Sequence, residues 1–351
     1  MVGMTGGPAP YIYVCTRMRV RKAKLLQKEE YQRMLNMSLP EITRVIEETA
    51  YKQEIDELAT SFSGIDLIEV AISWNMAKEF QKILEITPGH LKQFTRLYLR
   101  RWDIQNILTI LRGRLQGAKS GKIKEILIPA GSLDRVMLDR LLSEESVDRI
   151  VEMLRGQRMY PVLTREFPSA KESGSFSRLE NELYKQFYAD MIAEAESGIK
   201  GGDLFLSFIR LDIDIKNVKT LFRLRADDIE EDPREMYITG GVLAADEFVR
   251  LNTIKDQDEF VDALKTRFRQ KSLLSFLDEL KGAGKVRDIE VNLTRVQLEQ
   301  MERMSKRHPF SVHPILVYLE KKKYEVFNLR ALARGKESKL AAERISEYLV
   351  V

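Results

Sequence analysis

One helical motif occurs three times in this chain at equal spacing. Its copies are DIQNILTILR (103–112), DIKNVKTLFR (214–223) and EVFNLRALAR (325–334), so successive copies start 111 residues apart. Each copy has an acid, an asparagine three residues later and an arginine six residues after that. These residues are Asp103, Asn106 and Arg112; Asp214, Asn217 and Arg223; and Glu325, Asn328 and Arg334. Repetition at a fixed period predicts a fold assembled from repeated helical units.

The asparagines show that the motif is more than a coincidence. The chain has eight of them, and only the three in the motif have an acid three residues earlier. The same three are the only ones with an arginine six residues later. Because two independent features agree, we interpret the pattern as internal repetition.

Helical geometry predicts which motif residues face inward. At 100° per residue, the acid lies about 60° from the asparagine, among the apolar positions, and the arginine lies near the opposite side. A buried carboxylate must be paired or hydrogen-bonded, since leaving it bare is costly. Candidate partners are helix N-termini and arginines, with Arg17, Arg19 or Arg21 available to Glu325. Three equivalent copies favour a structural role in helix packing over acid–base catalysis.

The segments after the motif also resemble one another. Residues 126–134 and 237–246 both place a hydrophobic run before a glycine turn and a helix. The third copy ends soon after Gly335, so it lacks such a downstream segment. The N-terminal segment 24–48 has a comparable layout and is our candidate to supply it. We therefore predict an all-α fold of three pseudo-equivalent helical modules closed into a funnel- or socket-shaped body. The predicted modules are 11–85 with 315–351, 86–175, and 176–314, after a disordered segment 1–10.

Helical periodicity and start signals support the all-α prediction. Apolar residues step by four from Leu179 to Ile199, as on one face of a helix. The pairs Ser38–Glu41, Ser177–Glu180 and Thr294–Gln297 are typical of capping boxes. Thr87–Pro88 is typical of an N-cap followed by proline.

Two stretches depart from this helical pattern. Residues 168–177 form the most loop-like stretch, and 122–129 is a candidate for a short extended piece. The pattern as a whole indicates roughly 15 to 20 helices of ordinary length.

Composition argues against several classes of function. Lys and Arg number 57 and Asp and Glu 53, so the formal charge of +4 does not indicate a nucleic-acid partner. A single thiol, Cys15, cannot form an internal disulfide or a cysteine-based metal site, and its apolar neighbours predict a core position. The longest stretch without a charged residue is 1–16, which is too short to span a bilayer and lacks a signal peptide's basic start.

No motif predicts catalysis, a cofactor or a metal. GAKSGK (117–122) has three residues between its glycines and Ile123 after its lysine, so it fails the phosphate-loop pattern. His308 and His313 lie in a proline-rich turn and would need carboxylates from elsewhere to hold a metal. We interpret them as parts of a packed loop and predict a non-enzymatic protein.

Basic clusters at 16–24, 98–102 and 319–325 fit either solvated faces or contacts with an acidic partner. The lysines of the basic loop, Lys119, Lys122 and Lys124, are our candidates for partner contacts.

The order of these segments resembles a known family. YIYVCTRMRVRKAKLLQKEEYQRML, RRWDIQNILTILR, LIPAGSL, DIDIKNVKTLFRLR, YITGGVL and EVFNLRALARGK are similar to the C subunit of archaeal and bacterial A/V-type ATP synthases. That family includes the d subunit of eukaryotic V-type ATPases, and the resemblance runs from Tyr11 to Gly335.

The resemblance implies a non-catalytic protein with a funnel of three helical modules. Such a protein caps the rotor ring in the membrane, receives the central shaft of the soluble ATPase head and transmits torque between ion translocation and ATP synthesis or hydrolysis. It lies peripherally at the cytoplasmic face of the cell membrane. The family has no catalytic residues, so the resemblance assigns none to this chain.

A second interpretation is a helical-repeat adaptor or scaffold that binds other partners. An adaptor predicts an open solenoid with an extended concave surface, whereas the rotary coupling role predicts closure around a central opening.

Overall fold

The computed structural model describes residues 9–227, 233–268, 274, 277 and 285–351. Within these ranges the regular structure is helical and no strand occurs, so the all-α prediction is confirmed. The helices are α1 Ala9–Lys22, α2 Lys28–Met34, α3 Leu39–Glu47, α4 Lys52–Leu58, α5 Gly64–Ile86, α6 Gly89–Leu99, α7 Arg101–Leu115, α8 Ser120–Ile126, α9 Arg135–Ser143, α10 Val147–Met153, α11 Tyr160–Ser173, α12 Ser177–Glu196, α13 Gly202–Ala226, α14 Ala245–Asn252, α15 Gln257–Lys265, α16 Val286–Arg307, α17 His313–Glu337 and α18 Ala342–Ser346, with a 3₁₀ helix at Pro233–Met236. Of the segment predicted to be disordered, residues 1–8 lie outside the described ranges, and α1 begins at Ala9.

The chain forms two compact units. One comprises Met1–Asn36, Tyr188–Gly335 and Lys339–Val351, and the other comprises Met37–Phe187 and Lys336–Ser338. The division into three modules stays a prediction.

The unit built on Met37–Phe187 is organised around two helices. The first is α5, whose buried side chains include Ile68, Ile72 and Phe80, and α3 and α4 pack against it. The second is the motif helix α7, which packs against α6, α8, α9 and α10. Burial of these apolar faces is the main favourable contribution to the stability of such helices, since short helices are marginal on their own.

The other unit is built around two further motif helices. Helix α13 packs along α16, and its apolar face joins a core with α14 and α15. In this core the ring of Phe222 meets that of Phe260 edge-on, with ring centroids 5.5 Å apart. The third motif copy lies on α17, whose inner face is buried over most of its length.

Local start signals had mixed outcomes. The capping box at Ser38 is confirmed, because the Ser38 N–H donates to Glu41 Oε2 at 2.8 Å. Thr294 lies inside α16, where its hydroxyl donates to the Glu290 carbonyl, so the predicted helix start there is wrong. Thr87 follows α5 and donates back to Ile83, while the next helix begins after Pro88. A capping box needs its serine before the helix, but Ser177 is the first residue of α12 itself, so the predicted N-cap there is wrong.

Two predicted irregular segments are largely helical. Helix α11 continues through Pro168 to Ser173, because apolar positions on both sides of the proline remain buried, and the chain turns only at Gly174 with φ +72°. The segment 122–129 is helical as far as Ile126, and the backbone is extended at Leu127, where the helix has ended.

Candidate functional site

The first motif helix is joined to the loop after α8 by an asparagine. The Asn106 Nδ2 donates to the Ile128 carbonyl at 2.7 Å, and the Ile128 N–H donates to Asn106 Oδ1 at 2.8 Å. Both residues are buried. The side-chain amide therefore satisfies both polar groups of one backbone residue, as a neighbouring strand would.

The acid of the same copy holds the next turn of that loop. Asp103 Oδ2 accepts hydrogen bonds from the Ser132 N–H at 2.9 Å and the Ser132 hydroxyl at 2.6 Å, and Oδ1 accepts one from the Leu133 N–H at 2.8 Å. Asp103 is fully buried. Burial raises the pKa of this carboxyl above its ordinary value, and the three hydrogen bonds oppose the increase.

The second copy repeats this arrangement on α13. Asn217 Nδ2 donates to the Ile238 carbonyl at 2.8 Å and its Oδ1 accepts from the Ile238 N–H at 2.9 Å. Asp214 Oδ1 accepts from the Val242 N–H at 2.9 Å and the Leu243 N–H at 3.2 Å. Burial raises the pKa of Asp214 to about 6, against the effect of these two hydrogen bonds.

The third copy, on α17, uses both ends of the chain. Asn328 Nδ2 donates to the Val350 carbonyl at 2.9 Å, and the Val350 N–H donates to Asn328 Oδ1 at 2.8 Å. Glu325 Oε2 accepts from the Leu26 N–H at 2.7 Å, and Glu325 Oε1 pairs with Lys322 at 2.8 Å. The N-terminal segment thus supplies the backbone donor that downstream residues supply in the other copies.

We name each such set of contacts a joint: the motif asparagine and acid together with the backbone groups that they bind. The backbone donors occupy equivalent positions, because Leu133, Leu243 and Leu26 each stand one residue before the N-cap of a helix. Those helices are α9, α14 and α2. The same residue type, at the same place relative to a helix start, donates to the acid in all three copies.

Two glycines permit the acids to approach the loops. A Cβ on Gly131 would lie 2.1 Å from Asp103 Oδ1, and a Cβ on Gly241 would lie 2.2 Å from Asp214 Oδ1. Real carbon–oxygen contacts are far longer, so a side chain at either position displaces the carboxylate. These are the glycines of the turns that the sequence places after the motif.

The motif arginines lie on the outer side of their helices. Arg112 forms an ion pair with Glu180 at 2.6 Å, and Arg223 pairs with Glu290. Arg334 is exposed. Geometry therefore separates each arginine from the asparagine and acid of its own copy.

The predicted arginine partners of Glu325 are partly wrong. Arg17 donates to the Tyr13 hydroxyl at 2.7 Å, and Arg19 donates to the Pro309 carbonyl at 2.9 Å. Arg21 stays a prediction. The partner that the structure shows, Lys322, is absent from the predicted set. It lies three residues before Glu325 on the same helix, and that i,i+3 spacing is the sequence signal for the pair.

Two lysines of the basic loop form ion pairs with acidic residues of the Met37–Phe187 unit. Lys122 lies 3.1 Å from Asp66 and 3.0 Å from Glu125, and Lys124 lies 2.8 Å from Asp139. Lys119 is exposed. Their role in partner contacts stays a prediction.

Cys15 and His313, two of the remaining candidate residues, are both buried. Cys15 is buried, its thiol donates to the Ser311 carbonyl at 3.4 Å, and burial raises its pKa to about 11. His313 starts α17, with Nε2 2.7 Å from the Leu204 carbonyl, and burial lowers its pKa. In the residues that the structure describes, no group of three metal-ligating side chains occurs. No helix among them is both long and apolar enough to cross a bilayer.

The chain belongs to the ATP synthase (C/AC39) subunit family, whose model matches residues 14–348. It is 36% identical to the A-type ATP synthase C subunit of Methanococcoides burtonii, over 99% of this chain and 96% of that protein. Its identity to the C subunit of Methanosarcina acetivorans is 37%, over 98% of this chain and 94% of the relative. The C subunit of Archaeoglobus fulgidus is 34% identical, with 99% and 98% covered. The resemblance drawn from the motifs is confirmed.

Proposed function

We propose that this chain is a non-catalytic central-stalk subunit of an A/V-type rotary ATP synthase. In this role it links the membrane rotor ring to the central shaft of the soluble ATPase head and transmits torque between ion translocation and ATP synthesis or hydrolysis. The observation that carries the proposal is the family match over residues 14–348, together with relatives that are C subunits of A-type ATP synthases and align over nearly their whole length.

The joints support this role through stiffness. A part that transmits torque must resist bending between the helices that carry the load. Each motif asparagine binds both polar groups of one buried backbone residue. Each acid accepts from the residue that stands before the N-cap of another helix. Breaking such a contact leaves buried polar groups unpaired, at a cost of about 1–3 kcal/mol each. We propose that the motif residues act as structural locks and have no part in acid–base chemistry.

The joints also support three pseudo-equivalent modules. The equivalence of Leu26 with Leu133 and Leu243 favours a third module composed of both chain ends. We propose that these modules close into a funnel with the shaft in its opening. The protein then lies peripherally at the cytoplasmic face of the membrane, with Lys119 among the residues available for contacts with a partner.

Reconstitution tests the coupling role. Purified ring and head with shaft are mixed with or without this chain in sealed vesicles. We expect ATP-driven ion uptake only when the chain is present, while the head hydrolyses ATP in both cases. Ion uptake at the same rate without the chain contradicts the proposal. If the chain binds neither ring nor shaft, the adaptor interpretation gains support.

A further inference from the structure

A cavity of about 700 Å³ lies in the unit that holds both chain ends. The segment from Arg19 to Tyr31, helices α16 and α17, and Val350 form its walls. It adjoins the third joint, because Leu26, Glu325 and Asn328 all line it. Its volume falls within the range of small-ligand sites, roughly 300–1,000 Å³.

The cavity carries an excess of positive charge. Seven lysine and arginine side chains line it, against three glutamates. The glutamates are already engaged: Glu302 pairs with Lys22 and Lys321, and Glu325 pairs with Lys322. The third, Glu299, lies 3.9 Å from Arg303.

Four of the cations have no carboxylate within ion-pair distance in the described ranges. They are Arg19, Lys28, Arg295 and Lys306. Like charges that share a concave wall repel one another, and a bound anion relieves that repulsion. Burial also lowers the pKa of the Arg295 guanidinium, whose terminal nitrogens donate to Asn292 Oδ1 at 3.0 Å and to the Leu349 carbonyl at 2.9 Å.

One buried donor in the same wall is unsatisfied. The Arg295 Nε–H makes no hydrogen bond to any residue that the structure describes. Unpaired buried polar groups are rare in folded proteins, and a ligand is one of the ways in which they are satisfied. The Arg295 Nε–H can donate to an anionic oxygen.

We propose that this cavity binds a diphosphate-bearing anion. A phosphate group carries about −1.5 to −2 charges near neutral pH, so roughly two such groups balance the four cations that have no carboxylate partner. Guanidinium and ammonium groups both bind phosphate oxygens through charge-assisted hydrogen bonds. A ligand there contacts the N-terminal segment, α16 and α17 together, and so stabilises the third joint.

Inorganic pyrophosphate is the probe, added to the full chain at low and high salt. We expect calorimetric binding, a higher Tm, and a lower affinity as salt screens the charges. The double variant Lys28→Gln/Lys306→Gln removes two of the cations that lack a carboxylate partner and is expected to bind at least about tenfold more weakly. The variant Lys200→Gln/Lys255→Gln changes two exposed lysines outside the cavity and is expected to bind as the wild type does.

Sedimentation with phosphatidylglycerol vesicles distinguishes a free compound from a lipid headgroup. The phosphate is assigned to a lipid headgroup if the chain binds the vesicles, pyrophosphate displaces it, and Lys28→Gln/Lys306→Gln abolishes the binding. Pyrophosphate binding without vesicle binding assigns it to a free compound. The proposal is overturned if pyrophosphate leaves Tm and calorimetric heat unchanged, or if the cavity variant and the control variant lose affinity equally.

Discussion

The side-chain amide of Asn106 pairs with the backbone of Ile128 through two hydrogen bonds, of 2.7 and 2.8 Å. Asn217 pairs with Ile238 in the same way, and Asn328 pairs with Val350. The contact needs a donor and an acceptor at the tip of one side chain, which an amide provides and a carboxylate does not. This requirement is the physical reason for asparagine at each of the three positions.

The asparagines can be tested by isosteric replacement. Asn106→Asp, Asn217→Asp and Asn328→Asp each keep the shape of the side chain but point a second acceptor at a backbone carbonyl. We expect each variant to lose about 2–4 kcal/mol of unfolding free energy at neutral pH, measured by urea denaturation. Asn36→Asp, at an exposed position, is the control and is expected to stay within about 0.5 kcal/mol. If the unfolding free energy of Asn328→Asp equals that of the wild type, the proposal of an equivalent third module is contradicted.

The two aspartates differ in how they use their oxygens. Asp103 accepts through both Oδ1 and Oδ2, whereas Asp214 accepts both of its backbone hydrogen bonds through Oδ1. Asparagine retains only one acceptor oxygen. We therefore expect Asp103→Asn to cost about 2 kcal/mol more than Asp214→Asn at neutral pH, by chemical denaturation. Equal losses in the two variants contradict this account.

The raised pKa of Asp214 predicts a dependence of stability on pH. Between the ordinary value of 3.8 and about 6, the folded state keeps a proton that the unfolded state has lost. The stability contributed by this proton is complete below pH 3.8 and is lost as the pH rises through 6.

The measurement compares wild type with Asp214→Asn, which has no titrating group at this position. Relative to that variant, the wild type is expected to lose about 2.4 kcal/mol of unfolding free energy between pH 4 and pH 7. A difference between the two proteins that stays constant over this range contradicts the raised pKa.

The glycines beside the acids give a steric test. In Gly131→Ala the new Cβ lies 2.1 Å from Asp103 Oδ1, and in Gly241→Ala it lies 2.2 Å from Asp214 Oδ1. Moving either carboxylate away breaks its hydrogen bonds, so we expect each variant to lose about 3 kcal/mol. Gly121→Ala, in helix α8 with no atom within 4 Å of the new Cβ, is expected to gain up to about 1 kcal/mol. Thermal unfolding of the three proteins separates these outcomes.

Much of the motif's behaviour was predictable from periodicity. The acid and asparagine of each copy share the apolar side of their helix and are buried, and the arginine lies outside. This follows from 100° per residue alone. Local chemistry also predicted the capping box at Ser38, since its partner Glu41 lies within one turn.

Local sequence signals for the start or end of a helix were less reliable. Thr294 has the neighbours of a helix start but lies inside α16, whose apolar face is buried on both sides of it. Pro168 likewise lies within α11. In both places tertiary packing of the surrounding helix outweighs a local preference of about 1–3 kcal/mol.

By itself the sequence determined the helical class, the threefold repeat, the inward face of each motif helix and the family. The identity of the joint partners was decided only by tertiary structure. Asn106 meets Ile128 across 22 residues, and Glu325 meets Leu26 across 299. Periodicity describes the geometry of one helix, whereas these contacts depend on where chain segments meet after the core has packed. A buried carboxylate accepts whichever donor packing brings to it, and in the third copy packing brings a backbone N–H from the other end of the chain.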